Sequence, residues 1–499
     1  MTTEGGSSPV PLRAATLTDL GGAVGTPTYD RGAVTVGIVH LGVGGFHRAH
    51  QAMYVDRLLE KGEASDWGIC GVGVLRGDRR MAEVMAEQDC LYTLALKHSD
   101  GTWETRVIGS IVDYLLAPDD PEAVLTVMAA PSTRIVSLTV TEGGYNIDAT
   151  TGEFDTDASA VRADLEPGAT PATIFGLVVE ALHRRRSAGT PPFTVMSCDN
   201  IEGNGHIARR VFTAFARLRD PDLAEWIERE VHFPSSMVDR ITPATTPEVV
   251  TEITERFGVA DAWPVAAEPF VQWVLEDDFP TGRPAWQDAG VQLVEDVTPY
   301  ELMKLRLLNA SHQALCYFGY LAGYRLVHEA AQDPLFATFL RSYMDDEATP
   351  TLQPVPGIDL EEYKSTLLER FGNAEIRDKV ARLCAESSDR IPKWLLPVVR
   401  ANLASGGPVA LSAAVVASWA RYAEAVDEQG EPIEIVDQLA ETLVPIAQRQ
   451  REDPTAFLAN RGVFGDLVDD ERFVAAYRWA LDSLHHNGSR ATLEALAGS

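Results

Sequence analysis

The rhythm of apolar residues changes near residue 297. Before it, short β-branched runs alternate with amphipathic stretches. Val34-Thr-Val-Gly-Ile-Val-His-Leu41 and Trp67-Gly-Ile-Cys-Gly-Val-Gly73 read as buried strands, the first followed by a glycine-rich turn and a helix to about Leu59. Ile135–Val140 and Phe193–Ser197 read as further strands, with a helix from about Thr173 to Arg186 between them. Pro234–Pro243 and Ala267–Val274 read as later strands and loops of the same domain. From Pro299 onward helical patterns dominate, broken by loops at 350–356, 406–408 and 430–432.

One of those helices stands apart. Pro299 to Tyr324 reads as a single long helix, filled with Leu, Met, Ala and aromatics. Such a helix belongs inside, yet it carries Glu301, Lys304, Asn309 and His312. At 100° per residue, His312 sits about 80° from Lys304, Asn309 about 140° and Glu301 about 60°. Two readings stand: a helix with one solvated face, or a base, an amide and an imidazole lining a cleft. Burial lowers the pKa of a lysine towards the range in which it can act as a base.

Upstream, strand, glycine turn, helix, strand and acid follow in the order of a dinucleotide-binding βαβ unit. Gly42 permits the tight turn, and Gly44 lets the backbone approach a pyrophosphate at a helix N-terminus. Gly45 and Phe46 complete the turn, and Asp78 past the second strand is placed for a ribose diol. His47 replaces the third glycine of the pattern, and Asp78 lies further on than usual. His40, His47 and His50 lack a carboxylate or cysteine partner at metal-ligand spacing, which favours packing or phosphate contact over a metal. Glu142 and Asn200 follow two strands, where a parallel sheet presents its ligand crevice. The expected fold is therefore α/β. A Rossmann-type dinucleotide-binding domain spans 1–297, with a lead-in arm to about residue 33, and a mainly α-helical substrate and catalytic domain spans 298–499.

At 499 residues, two domains are the default. A formal net charge of −31 argues against nucleic acid or an anionic membrane as partner. Five scattered cysteines without a Cys-x-x-Cys pair suit a reducing compartment. The polar start lacks a signal pattern, and no apolar run reaches the roughly 18 residues of a membrane span. The expectation is a cytoplasmic, soluble protein.

The segments Gly42-Val-Gly-Gly-Phe-His-Arg-Ala-His50, Thr141-Glu-Gly-Gly-Tyr145, Ser197-Cys-Asp-Asn200, Met237-Val-Asp-Arg-Ile-Thr-Pro243, Glu268-Pro-Phe-Val-Gln-Trp273 and Lys304-x4-Asn309-x2-His312 span most of the chain. In type and order they resemble the polyol-specific long-chain dehydrogenases. The resemblance implies metal-independent, nicotinamide-dependent interconversion of a polyol and a ketose, D-mannitol and D-fructose first. It implies Lys304 as general base, Asn200 and Asn309 as oxyanion donors and His312 as a substrate contact. It also implies that Glu142, Asp239, Glu301 and Arg382 line the sugar site. Arg390 stands where the family carries lysine, which changes the hydrogen-bond geometry there. Asp78 matches the acid that favours NAD. Gly77 replaces a second acid, leaving Arg79 freer to accept a 2′-phosphate, so NADP is expected as the weaker cofactor. The implied partner is a small-molecule polyol or ketose, and the implied state is a monomer.

Rivals remain. Within the family they are fructuronate reduction and D-arabinitol oxidation. Tyr300-Glu-Leu-Met-Lys304 also fits the Tyr-x-x-x-Lys pair of short-chain dehydrogenases, but that family's glycine pattern and short chain are absent. A nucleotide-sensing protein without turnover is the rival from another class.

Overall fold

In a computed structural model, the chain folds into two compact units, Met1–Val297 and Thr298–Ser499. The structure describes residues 8–148 and 152–497, so the first seven residues of the lead-in arm lie outside it. The arm's next stretch, β1 (Val10–Pro11), pairs in parallel with a later two-residue strand at Val259–Ala260.

The first unit is built on a five-stranded sheet. Its members are β2 (Val36–Leu41), β3 (Gly68–Gly73), β6 (Ile111–Leu116), β7 (Ile135–Leu138) and β8 (Thr194–Ser197). Their order is β6-β3-β2-β7-β8 and every pairing is parallel. That is the Rossmann order, with its switch point between β2 and β7. Both faces are covered, which explains the near-continuous apolar runs. Val39 and Leu41 of β2 pack towards one core with the helix at Ile174–Ala188, while Ile38 packs towards another with the helix at Gln51–Glu60.

Between β3 and β6 the chain inserts an antiparallel hairpin, β4 (Tyr92–Lys97) and β5 (Trp103–Ile108). The apolar runs do not reveal β4, β5 or β6. The hairpin had a local signal, because Asp100-Gly101 supplies the turn and Gly101 has φ +83°. β9 (Ser236–Asp239), β12 (Gln272–Glu276) and β13 (Gln292–Val294) form a separate small sheet. The two-residue strand that pairs with β1 is β10, and β11 (Val265–Ala267) lies beside β4.

Among the described residues, the second unit contains helices, turns and two isolated β-bridges, and no longer strand. Its central helix differs from the sequence expectation in one respect. Thr298–Met303 and Ala310–Leu321 are α-helical, but Lys304–Asn309 forms a π-helix. The wider turn closes hydrogen bonds from i to i+5. Lys304 and Asn309, five residues apart, are thereby drawn towards one face rather than about 140° apart as in a regular α-helix.

Candidate active site

In the first unit the glycine turn sits at the switch point. Gly42 has φ +92°, and a Cβ there would lie 2.2 Å from the carbonyl oxygen of Thr139, just past β7. Only glycine allows that approach. Gly44 is exposed, and nothing stands within 4 Å of where its Cβ would be. Gly45 opens the short helix Gly45–Ala49, and Phe46 stacks on His50 at 4.8 Å.

Beneath the turn, His40 Nδ1 lies 2.8 Å from Ser137 Oγ and Nε2 lies 2.9 Å from Thr139 Oγ1. Burial pushes its pKa down to about 3. His47 stacks on His40 with ring centroids 3.4 Å apart. Both ring nitrogens of His47 are buried without a hydrogen-bond partner, and burial holds it well below its ordinary value. Among the described residues, no group of three or more His, Cys, Asp or Glu side chains comes together as a metal site.

Asp78 follows β3. Its Oδ2 accepts from the backbone N–H groups of Val74 and Leu75 at 2.8 Å each, while Oδ1 receives neither bond. Arg79 opens the next helix, Arg79–Glu87. Its guanidinium donates to the Asp119 carboxylate at 2.6 and 3.0 Å, both side chains being solvent-exposed. The cause is topological: Asp119 lies just past β6, the sheet neighbour of β3.

Glu142 lies just past β7 and is exposed, Asn200 follows β8, and Asp239 ends β9 and is buried. The first two leave adjacent parallel strands at the same sheet edge.

In the second unit the central helix has no solvated stripe at these positions. Glu301 is 5% exposed, Lys304 7%, Asn309 3% and His312 8%. Asn309 Nδ2 and His312 Nε2 are buried without a hydrogen-bond partner. They share that state with other buried groups, among them both ring nitrogens of His47 and the indole nitrogens of Trp273 and Trp286. The His312 ring lies 4.4 Å from that of Phe371. Burial first, and then the charges of Arg382, Arg370, Arg390 and Lys304, hold His312 well below its usual range, so the ring is neutral.

Arg382 is bound by Asp378 at 2.7 and 2.5 Å, which partly neutralises it. Arg390 donates to the carbonyl oxygens of Arg382 and Leu383. Arg370 and Phe371, at the end of the helix Leu360–Phe371, escaped the sequence reading, because no local pattern marks a helix end as part of a site. The Tyr300 hydroxyl donates to the Pro356 carbonyl at 2.8 Å, which commits the proton that a short-chain mechanism would use.

A parallel sheet in the order β6-β3-β2-β7-β8, a glycine turn at its switch point and an acid beyond β3 define a Rossmann-type dinucleotide-binding domain, followed in the chain by a helical one. The chain belongs to the mannitol dehydrogenase family: residues 36–288 match its Rossmann domain and 296–485 its C-terminal domain. It is 46% identical to a Pseudomonas fluorescens mannitol 2-dehydrogenase solved as a ternary complex with NAD and D-mannitol. That match has a TM-score of 0.91 and covers 98% of this chain and 100% of the other. A substrate-free D-sorbitol dehydrogenase is 39% identical with a TM-score of 0.88, covering 97% of this chain and 99% of that one. A mannitol 2-dehydrogenase of Aspergillus fumigatus is 45% identical over 497 residues, covering 97% of this chain and 99% of the relative.

Proposed function

We propose that this protein is an NAD-dependent polyol dehydrogenase that oxidises D-mannitol at C2 to D-fructose and catalyses the reverse, with a lysine rather than a metal-bound hydroxide as base. One observation carries the reading. A buried lysine, a buried amide nitrogen without a partner and a neutral imidazole occur together on the central helix. The residues of the first unit fit a dinucleotide: Gly44 leaves the turn open for a pyrophosphate, and Asp78 Oδ1 is available to a ribose diol. When bound, the nicotinamide ring accepts a hydride from the carbinol carbon.

The rest falls to side chains. Neutral Lys304 takes the hydroxyl proton at C2. Asn309 Nδ2 donates to the oxygen as negative charge develops, and Asn200 supplies the second amide. Donors fixed in advance are worth about 3 kcal/mol each in such a role. His312, held neutral, offers one ring nitrogen as donor and one as acceptor to the sugar hydroxyls. Glu142, Asp239, Glu301, Arg382 and Arg390 orient the remaining hydroxyls. Asp78 repels a 2′-phosphate by like charge, so NADP is the weaker cofactor. Five free, buried cysteines fit a reducing, cytoplasmic setting, and we take the chain to act as a monomer.

A second reading has its own support. Three arginines around His312 would suit the carboxylate of fructuronate, but Asp378 partly neutralises Arg382 and favours an uncharged substrate. The test is NADH formation with mannitol, sorbitol and arabinitol, set against NADH consumption with fructose and fructuronate. Turnover of mannitol and fructose above the others is expected. Turnover of fructuronate alone would move the assignment, and no turnover with any of them would leave a nucleotide-binding protein.

A further inference from the structure

The ends of β7 and β8 contain a device that the proposed chemistry does not use directly. Thr141 has φ +64° and ψ 169°, a region that only glycine occupies without cost. A β-branched residue there is strained, and something must hold it. The backbone N–H of Thr141 donates to Asp199 Oδ1 at 2.8 Å. The N–H of Val140 and the hydroxyl of Tyr145 donate to Oδ2 at 3.1 and 2.7 Å.

Asp199 is itself anchored. Asn204 Nδ2 donates to its carbonyl oxygen at 2.9 Å and to that of Ser236 at 2.8 Å. Among the described residues of the first unit no cation pairs with this buried carboxylate, and burial pushes its pKa up to about 6 despite those donors. Strain on one side and a buried carboxylate held by neutral donors on the other are two costs kept at one point. Residues 142 and 200 are the immediate neighbours of this pair.

We propose that Asp199 is a positioning residue: its carboxylate holds Thr141 in the strained backbone conformation and thereby fixes Glu142 on one loop and Asn200 on the other. The proposal deepens the polyol dehydrogenase reading and rests on it for its kinetic readout. An asparagine at 199 turns an N–H₂ group either towards the Thr141 N–H or towards the Val140 N–H, so one backbone donor loses its acceptor. A glycine at 141 adopts the observed φ and ψ without strain and makes the clamp dispensable.

The experiment is a double-mutant cycle on the full chain with Asp199→Asn and Thr141→Gly, read as kcat for polyol, KM for polyol and KM for NAD. Asp199→Asn is expected to lower polyol kcat by about 10 to 100-fold, the scale of a small misplacement, with KM for NAD within about twofold. Thr141→Gly alone should stay within about threefold. The double variant should recover about fivefold or more over Asp199→Asn, the equivalent of the released strain. Losses that simply add, or an Asp199→Asn enzyme as active as the unaltered one while Asn200→Ala is crippled, overturn the proposal.

If Asp199→Asn alone does not fold, the double variant decides. A folded double variant with turnover near that of Thr141→Gly supports the clamp, and an unfolded or inactive one refutes it. Absence of polyol turnover in the unaltered protein would overturn the function reading alone. The clamp would then be read from thermal unfolding, where recovery by Thr141→Gly supports it and additivity refutes it.

Discussion

The end of β8 and the middle of the central helix both bury polar side chains, and they treat them in opposite ways. Asp199 accepts three hydrogen bonds, and Asn204 uses both ends of its amide. On the central helix, Asn309 Nδ2 and His312 Nε2 have no partner. An unmet buried donor costs about 1–3 kcal/mol, a cost that a ligand's oxygen atom would remove. Fully bonded polar groups at the strand ends hold a backbone in place. Unbonded ones on the helix have no such duty within the fold, and the proposed function assigns them to a polyol that brings its own oxygen atoms.

The widest separation of the two regions is expected from Lys304. Lys304→Ala should cut polyol oxidation by about 10² to 10⁴-fold, the usual worth of acid–base help, while thermal unfolding changes little. Added primary amines should restore part of the rate, and an unimpaired variant would remove the helix from the chemistry.

The two buried asparagines form a matched pair. Asn309→Leu should lower kcat by about 10² to 10³-fold and leave stability unchanged or raised, because an unpaired donor is removed. Asn204→Leu should lower stability by about 1–3 kcal/mol, because the Ser236 N–H and the carbonyls of Asp199 and Ser236 lose their partner. Equal destabilisation in both would erase the distinction.

Asp78→Ala should narrow the preference for NAD over NADP by about tenfold, since it removes a charged hydrogen-bond acceptor and a like-charge repulsion of the 2′-phosphate. An unchanged ratio of the two kcat/KM values would dismiss Asp78 as the ribose ligand.

His312 affects stability through pH alone. Its folded pKa is depressed, so the unfolded chain takes up its proton first as pH falls below the unfolded value of about 6.5. The native state should then lose about 1.4 kcal/mol per pH unit at this site, a loss absent above that pH. Stability of the unaltered protein should therefore fall more steeply between pH 6 and pH 4 than that of His312→Asn. Parallel slopes would mean a protonated, solvated imidazole.

What the sequence revealed follows the same division. The glycine turn was legible because close backbone approach restricts residue type locally, and Gly42 beside Thr139 shows why. The strands β2, β3, β7 and β8 were legible because a sheet covered on both faces needs continuous apolar runs. β4–β6 were not, although Asp100-Gly101 marked their hairpin. The polar residues of the central helix were visible, but burial and exposure write the same spacing, so both readings stayed open until Lys304 was located inside. The π turn at Lys304–Asn309 has no residue signature, being a matter of which carbonyl each N–H reaches. The partner of Arg79 was not legible, because Asp119 lies 40 residues away and meets it only through the β3–β6 pairing. Asp199 stood in plain view after β8, yet its role depends on the φ of Thr141, which no pattern discloses.

Everything proposed for the chemistry depends on the buried polar face of the central helix being an acid–base site with Lys304 as its base. The most direct test is the pH dependence of kcat/KM in both directions, for the unaltered protein and for Lys304→Ala. In the unaltered protein, mannitol oxidation should rise with pH through one ionisation and level off, and fructose reduction should fall through the same ionisation, because one direction needs the neutral amine and the other its conjugate acid. Lys304→Ala should flatten both curves at a much lower rate. If both curves keep their shape in Lys304→Ala, and Tyr300→Phe abolishes them instead, the base is not Lys304.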